Sequence, residues 1–259
     1  MKIQTKSYKK NNELFKPIPV TSPQDYPIIF FIRCLIDLQL KSIVDFLRLE
    51  LSKLENEVLD IGAGNSPWRS FLSSSINYVG LDIENADDFL MKTGKDIIYY
   101  SGKDFPFVEN QFSNAICIEV LEHICDTEYF LREIFRCLKP GGKLILTVPW
   151  AARRHHLPYD YFRFTPEALN YLLEKNGFIN IKITERGNDL ATIFNKILCL
   201  IQGLVFSKNI KTIILRFLIL LIITPIGFIF LIMAHISLLF KSSSQNDPLG
   251  YSLIASKPF

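Results

Sequence analysis

The 259-residue chain lacks the features that mark several common classes of protein. Its five cysteines are scattered without a Cys-x-x-Cys pair, so we expect reduced thiols, no disulfide framework and no metal site. The net charge is only +3 and no basic stripe alternates with aromatic residues, which argues against a nucleic-acid partner. The polar first 26 residues lack the apolar run of a secretory signal, and we expect a flexible basic arm there. These absences favour a protein of the reducing cytoplasm.

Strand and helix patterns alternate along residues 57–150, which predicts an α/β fold with a mostly parallel sheet. Predicted strands cover 57–61, 77–82, 96–100, 114–118, 143–149, 178–184 and 250–257. Predicted helices cover 28–54, 66–74, 86–92, 126–138 and 166–175, the last capped by Thr165 with Pro166 at its first position. We therefore expect a flexible arm (1–26), a core (27–186), a hydrophobic helical insertion (187–249) and a last core strand (250–259).

The segment Val58 to Trp68 (Val-Leu-Asp-Ile-Gly-Ala-Gly-Asn-Ser-Pro-Trp) predicts a buried strand, a glycine turn and the start of a helix. Two glycines, Gly62 and Gly64, allow a sharp turn and close approach to a ligand. A dinucleotide-binding loop needs a third glycine where this chain has Pro67, so a nicotinamide-dependent oxidoreductase fits less well. Asp82 ends the second strand, where a carboxylate can accept both hydroxyls of a ribose. The alternative for Asp82 is a turn or capping aspartate.

The chain resembles class I S-adenosylmethionine-dependent methyltransferases of the type 11 methyltransferase domain family, over roughly residues 55–185 and the last strand. The matching segments, in the family's order, are Val58–Pro67, Asp82, Phe105–Phe107, Glu119–His123 and Leu138–Gly142. The resemblance implies a Rossmann-like, seven-stranded sheet with helices on both faces, and S-adenosyl-L-methionine as the cofactor.

The resemblance also implies where the cofactor binds. The residues that it assigns to cofactor binding are Asp60, Gly62, Ala63, Gly64, Asn65, Asp82, Ile83, Ser101, Gly102 and Glu119. The first four are implied to hold the methionine end, Asp82 the ribose and Ile83 the adenine, with Glu119 under the sulfonium. The family's aspartate for the adenine amine is replaced by Ser101, which can still meet adenine together with the Gly102 amide. A second departure is Ser113, where the family has an aspartate.

The segment Trp150–Thr165 resembles the His-x-x-Pro-Tyr-Asp-x-x-Arg-(Tyr/Phe)-Thr pattern of a subgroup common among bacterial surface-polysaccharide enzymes. It follows the fifth strand, at the sheet edge where an acceptor approaches. A proton acceptor there assists methyl transfer to a hydroxyl or amine, and we expect His155 or His156 in that role, with Asp160 as orienter or alternative base.

The acceptor itself is assigned to Arg163, Arg153 and Tyr159, since arginine grips anionic groups. Three alternatives stay open. In the first, Tyr159–Asp160 and Arg163 form a buried ion pair that only fixes the loop. In the second, His123 is structural, and in the third the enzyme uses no base, because placement of the reactants suffices.

Residues 217–240 contain no charged side chain, a length that reaches a membrane-spanning helix. A single crossing is topologically excluded if strand 250–257 returns to the same sheet. We expect a re-entrant or interfacial hairpin with arms 212–223 and 228–240, broken at Thr224–Gly227, beside an amphipathic helix over 189–206. Flanking Lys208, Lys211, Arg216 and Lys241 favour the cytoplasmic face. The alternatives are a buried helical cap, a dimer interface or a simple C-terminal anchor.

The sequence thus predicts a methyltransferase at the cytoplasmic face of the membrane, held there through residues 190–240. Its expected acceptor is a small molecule, a glycan or a lipid-linked compound, as in polysaccharide biosynthesis. A non-catalytic membrane adaptor that retains the fold is the alternative.

Overall fold

The computed structural model describes residues 18–84, 96–207 and 209–259. Most of the predicted basic arm, the predicted helix at 86–92 and the flanking Lys208 lie outside the described residues.

The core is a seven-stranded mixed sheet, as the resemblance implied. Its strands are β1 (Glu57–Ile61), β2 (Asn77–Ile83), β3 (Ile97–Tyr100), β4 (Phe112–Ile118), β5 (Leu138–Pro149), β6 (Ile179–Arg186) and β7 (Gly250–Ser256), in the order β3-β2-β1-β4-β5-β7-β6. The first five are parallel, and β7 lies antiparallel between β5 and β6. The strand order reverses between β1 and β4, which is where open α/β sheets bind their ligands.

Six helices accompany the sheet in the described part of the chain: α1 (Pro27–Ile36), α2 (Leu38–Leu51), α3 (Thr127–Cys137), α4 (Pro166–Lys175), α5 (Asp189–Phe206) and α6 (Ile213–Phe240). On one face, α3 and α4 bury residues such as Leu131 and Leu169. On the other face, α2 buries Leu47 and Leu51 against Ile116 and Ile145 of the sheet. The Thr165 hydroxyl accepts a hydrogen bond from the Ala168 amide at 3.2 Å, so the predicted cap of α4 is present.

The single helix predicted over 28–54 is wrong, because the chain breaks it at Asp37. The Asp37 carboxylate accepts a hydrogen bond from the Leu40 amide at 3.0 Å and caps α2, which packs on the sheet. The preceding helix, α1, buries only Phe30, while Ile28 and Phe31 are 74% and 63% exposed. The N-terminal helix is therefore an apolar surface element.

The helix predicted over 66–74 is a short 3₁₀ turn, Pro67–Phe71. Pro67 occupies its first position, but Ser66 adopts a left-handed conformation (φ 51°) and the serines from Ser73 onward follow it. Serine favours hydrogen bonds to nearby backbone over continued helix, which accounts for the early end.

The break predicted at Thr224–Gly227 is also wrong: α6 runs unbroken for 28 residues with Pro225 inside it. A proline removes one backbone hydrogen bond and costs about 3 kcal/mol, a price that packing can offset. Gly227 supplies the packing, since a Cβ there would lie 3.1 Å from Ile197 Cγ2 and 3.2 Å from Ile201 Cδ1 of α5. The hairpin therefore consists of α5 and α6, and Gly227 lies where the two helices touch.

The two ends of the segment that carries α5 and α6 lie side by side in the sheet. The Leu249 amide donates to the Arg186 carbonyl at 2.8 Å, just before β7 and at the end of β6. The helical hairpin thus leaves and re-enters the core at one place.

Candidate cofactor and acceptor site

The glycine turn after β1 packs against the turn after β4. Gly62 has φ +72°, and a Cβ on it would lie 2.4 Å from Val120 Cγ2. The Gly62 and Ala63 amides donate to the Leu81 carbonyl at 2.8 and 3.1 Å, and Gly64 also has a positive φ. Because a side chain at Gly62 would be both strained and overlapping, only glycine keeps these two turns in contact at the switch point.

Asp82 holds the same turn from the end of β2. Its Oδ2 accepts from the Gly64 amide at 2.8 Å, and its Oδ1 accepts from the Ile83 amide at 2.7 Å. Each carboxylate oxygen has two acceptor positions, so the group can still accept a ribose hydroxyl on each. The structure places Asp82 beside the glycine turn, and its role toward ribose stays a prediction.

Asp60 is buried beneath the turn, and its Oδ2 accepts from the Tyr78 hydroxyl at 2.7 Å. Burial raises the pKa of Asp60 to about 7, against a partial offset from the Tyr78 hydrogen bond. The carboxyl thus contacts the tyrosine, and direct contact with the methionine end of a cofactor stays a prediction.

We expect Asp60→Asn to stabilise the cofactor-free protein, and more so at high pH. The folded carboxyl keeps its proton up to about pH 7, whereas the unfolded one loses it near 3.8, so folding takes up a proton between these values. The unfolding free energy of the unchanged protein therefore falls as pH rises from about 4 to 7 and is level above. The advantage of asparagine should grow by roughly 2–3 kcal/mol between pH 5 and pH 8. Urea titrations in one detergent at both pH values measure it, and an advantage that is constant with pH would contradict the assignment.

The predicted adenine residues meet at the ends of β2 and β3. A Cβ on Gly102, which has φ +86°, would lie 3.7 Å from Ile83 Cγ2. Ser101 is exposed beside it, and Asn65 is exposed in the glycine turn. These positions agree with one cofactor edge, while the individual contacts stay predictions.

Ser113, the other departure from the family, lies at the opposite edge of the sheet, near the start of β4. Its hydroxyl donates to Glu57 Oε2 at 2.7 Å, and Lys139 Nζ donates to the same oxygen at 2.8 Å. Glu57 thus supplies the carboxylate that an aspartate at 113 would bring. The departure does not touch the cofactor edge.

Glu119 follows β4, and its carboxylate is engaged by two groups distant in sequence. Arg186 Nη2 donates to Oε1 at 2.6 Å, and Gln39 Nε2 donates to Oε2 at 3.1 Å. Arg186 is buried and also donates to Ser42 Oγ and to the Val148 and Tyr251 carbonyls. Glu119 therefore lies at the cofactor edge in a defined orientation, and its placement under a sulfonium stays a prediction.

The acceptor segment 150–165 lies on the turn after β4. The Tyr161 and Phe162 amides donate to the Glu122 carbonyl at 2.9 and 3.3 Å. The Arg163 guanidinium pairs with both oxygens of the buried Asp160, at 2.7 and 3.0 Å. Burial alone would raise the pKa of Asp160, but Arg163 and His155 together outweigh burial and hold the pKa below its usual value. This geometry favours the loop-fixing alternative for Asp160 and Arg163 over a base and an anion grip.

Three of the four histidines of the chain meet at this point. The ring centroids of His123, His155 and His156 lie 4.9 to 5.3 Å apart. Burial lowers the pKa of His123 to about 4 and of His156 to about 3, with neighbouring imidazoles adding to both shifts. Both rings are therefore neutral at pH 7 and able to accept a proton, although such low pKa values make them weak bases.

Sequence reasoning missed His123 and Glu122 as members of this cluster. A signal existed, since both residues follow β4 and the histidine pair follows β5, and neighbouring parallel strands end at the same edge of a sheet. The fully buried Glu122 lies beside two of the rings, with Oε1 3.6 Å from His123 Nε2 and 3.9 Å from His155 Nε2.

The acceptor segment is also joined to α5. Arg153 Nη2 donates to the Cys199 carbonyl at 2.7 Å, and Lys196 Nζ donates to the Ala151 carbonyl. Arg153, predicted to bind the acceptor, thus contacts the insertion, and an acceptor role for it or for the exposed Tyr159 stays a prediction.

Comparison with known proteins agrees with this geometry. The family model described as "Methyltransferase domain" matches residues 36–183. An uncharacterized protein of Methanocaldococcus jannaschii is 35% identical over 132 residues, which cover 49% of this chain and 56% of that protein. Demethylmenaquinone methyltransferase of Oceanobacillus iheyensis is 25% identical over 133 residues, 46% of this chain and 56% of the relative. The chain spans about half the length of the curated relatives it matches.

A crystal structure of a SAM dependent methyltransferase from Archaeoglobus fulgidus shares the fold. The similarity covers 89% of this chain and 100% of the other, with a TM-score of 0.53 and 15% identity. The family model spans more than half of the chain, and the sheet has the matching topology. The chain therefore belongs to the family of class I S-adenosylmethionine-dependent methyltransferase domains.

Proposed function

We propose that the protein transfers a methyl group from S-adenosyl-L-methionine to a lipid-linked acceptor at the cytoplasmic face of the membrane, with a glycan or a free small molecule as the other acceptor classes. The observation that carries this proposal is the bonding of the acceptor segment to the hairpin, through Arg153 and Lys196. The hairpin in turn presents an apolar surface, with more than half of the exposed large apolar side chains of the described chain.

That surface is formed by α6, the end of α5 and α1. Side chains that share strong exposure are Ile214, Phe217, Leu221, Ile222, Phe228 and Ile229 on α6, Val205 and Phe206 on α5, and Ile28, Ile29 and Phe31 on α1. His235 Nε2 of α6 lies 2.8 Å from the Leu35 carbonyl of α1, so the two helices are in contact. Soluble monomers rarely expose apolar patches of such extent, and a bilayer is the occupant that we infer.

Attachment to the membrane surface fits the helices better than a span. By length and composition, α5 and α6 could each cross a bilayer. However, α5 buries Ala191, Phe194 and Asn195 against the core and contacts Arg153 as far as Cys199. The part of α6 before its first buried residue, Gly227, covers residues 213–226 and is about 21 Å long at 1.5 Å per residue. It is shorter than the ~30 Å hydrocarbon core.

The charges beside the apolar surface support the cytoplasmic face. Lys211 precedes α6 and Lys241 follows it. Arg216 caps the end of α5 by donating to the Leu204, Ser207 and Asn209 carbonyls at 2.7 to 2.8 Å. Positive side chains next to an apolar face favour anionic lipid headgroups on the cytoplasmic side.

The cofactor supplies an electrophilic methyl group on a sulfonium. The oxygen of an acceptor hydroxyl would form a bond to the methyl carbon while the carbon–sulfur bond breaks, and the hydroxyl would lose its proton. Of the two predicted bases, we infer that His156 receives this proton, since His155 faces the buried Glu122. Asp160 and Arg163 hold the segment in place. Holding the reactants in line supplies most of the acceleration when the base is weak.

We expect the apolar surface to be required for transfer but not for cofactor binding. Ile214→Asp combined with Phe217→Asp replaces side chains that are 74% and 59% exposed. Burying two such side chains is worth about 3–6 kcal/mol, so vesicle affinity should fall at least about 100-fold. Flotation with phosphatidylcholine vesicles that contain some phosphatidylglycerol measures the binding. Methyl-labelled S-adenosylmethionine added to membranes then shows whether label reaches the lipid fraction.

The matched control is Tyr171→Asp, a 63% exposed aromatic residue on α4, on the other face of the sheet. It should float and transfer normally, and all variants should bind S-adenosylhomocysteine. Label that enters only polysaccharide or soluble compounds would move the acceptor to those classes. Flotation that the double variant leaves unchanged would contradict membrane attachment through α6.

A further inference from the structure

The cluster beside the acceptor segment brings together three side chains of the kinds that bind metal ions in proteins. The ligand atoms of Glu122, His123 and His155 all lie within 4.8 Å of one another. They come from two segments, the turn after β4 and the loop after β5, so only the fold brings them together. The scattered cysteines, which suggested no metal, say nothing about this set.

Backbone carbonyls orient both imidazoles toward Glu122. His123 Nδ1 lies 2.8 Å from the Tyr159 carbonyl, and His155 Nδ1 lies 2.9 Å from the Arg153 carbonyl. A carbonyl can only accept, so in each ring Nδ1 carries the proton and Nε2 has the lone pair. A hydrogen bond of this kind to the distal nitrogen is the usual support of a metal-binding histidine.

The buried Glu122 carboxylate lacks hydrogen bonds from the described residues. The side chain is fully buried, and neither oxygen has a hydrogen-bond partner among the described residues. The 3.6 and 3.9 Å separations from the two Nε2 atoms are too long for hydrogen bonds. They are within about half an ångström of the ~3.4 Å that separates two ligands of a tetrahedral ion with bonds of ~2.0–2.1 Å. A cation among the three atoms would satisfy the buried carboxylate.

We propose that Glu122, His123 and His155 bind one divalent transition-metal ion, of the zinc, cobalt or manganese class. Two imidazoles and one carboxylate suit these ions better than magnesium or calcium, which prefer oxygen ligands. The ion ties the acceptor segment to the turn after β4. With three protein ligands it keeps a position for water or for an oxygen of the acceptor. The site goes beyond the proposed function, and metal binding is measurable without transfer.

The test uses the full chain in detergent, treated with a chelator and then titrated with ZnCl₂ or CoCl₂. We expect one ion per chain by calorimetry, and a visible cobalt spectrum typical of nitrogen and oxygen ligands. Glu122→Gln and His155→Gln should each weaken binding at least about 100-fold, more than loss of a group that only supports a ligand. His235→Gln, which changes a histidine on α6 that is outside the proposed ligand set, should bind metal like the unchanged protein.

Two results would overturn the proposal. One is no stoichiometric binding to the unchanged protein, which would make Glu122 a neutral buried acid. The other is binding that both variants leave unchanged, which would place the ion elsewhere. Binding of S-adenosylhomocysteine, measured on each variant, reports whether the protein is folded and keeps this outcome separate from that of the proposed function.

Discussion

Asp82→Ala is expected to bind S-adenosylhomocysteine at least about 100-fold more weakly than the unchanged protein. The carboxylate stands at the end of β2, and its two bonds to the Gly64 and Ile83 amides fix its direction. Hydrogen bonds to a charged group are worth about 1.5–3 kcal/mol each, so losing two ribose hydroxyls costs about 3 kcal/mol or more. The Gly64 amide also loses its acceptor, which loosens the turn that faces the cofactor.

Isothermal titration calorimetry measures this effect, and two further variants sharpen it. Asp82→Asn keeps one oxygen acceptor and should be intermediate. Asp45→Ala removes a 61% exposed carboxylate that pairs with Lys41 on α2, and this variant should bind normally. Normal affinity in Asp82→Ala would place the cofactor elsewhere. An unchanged protein that binds vesicles but no S-adenosylhomocysteine would favour the non-catalytic adaptor.

Arg186→Met is expected to lower the free energy of unfolding by about 3–5 kcal/mol. The guanidinium is buried where β6 ends and donates to Glu119, Ser42 and two carbonyls of neighbouring strands. Removing it leaves the Glu119 carboxylate without its cation, and it leaves buried carbonyls without donors.

A double-mutant cycle separates the ion pair from the rest of the contacts. Glu119→Gln in the Arg186→Met background should cost less than Glu119→Gln alone, because in that background it removes a charge that has already lost its partner. Lys41→Met, which breaks an exposed pair, should cost about 0.5 kcal/mol or less. Chemical unfolding in one detergent gives all four values. Additive costs for the two positions would show that Arg186 and Glu119 do not stabilise each other.

Much of the fold followed from local patterns. The alternating strands and helices, the Thr165 cap and the return of Gly250–Ser256 to the sheet were predictable, because periodicity and caps depend on neighbours in sequence. The wrong predictions fell where a local rule met a distant contact. Pro225 and Gly227 predicted a break in the helix, yet Gly227 packs on Ile197 and Ile201 and the helix continues.

The candidate site divides in the same way. The glycine turn and Asp82 were visible because a strand, a turn and a carboxylate 18 residues later belong to one βαβ unit. The pairing of Glu119 with Arg186, 67 residues apart, was not, nor was the meeting of Glu122 and His123 with His155. Those contacts depend on strand order and register, which no short segment specifies.

The sequence by itself determined the α/β class, the glycine turn after the first strand and an apolar segment that returns to the core. Each of these follows from residues that are close together in the chain. Only the tertiary structure decided that α5 and α6 form the hairpin and that α1 joins their apolar surface. It also decided that three histidine rings meet beside the acceptor segment, two of them next to a buried glutamate. The reason is physical: local propensity sets the elements, whereas the burial of distant side chains against one another sets which of them meet.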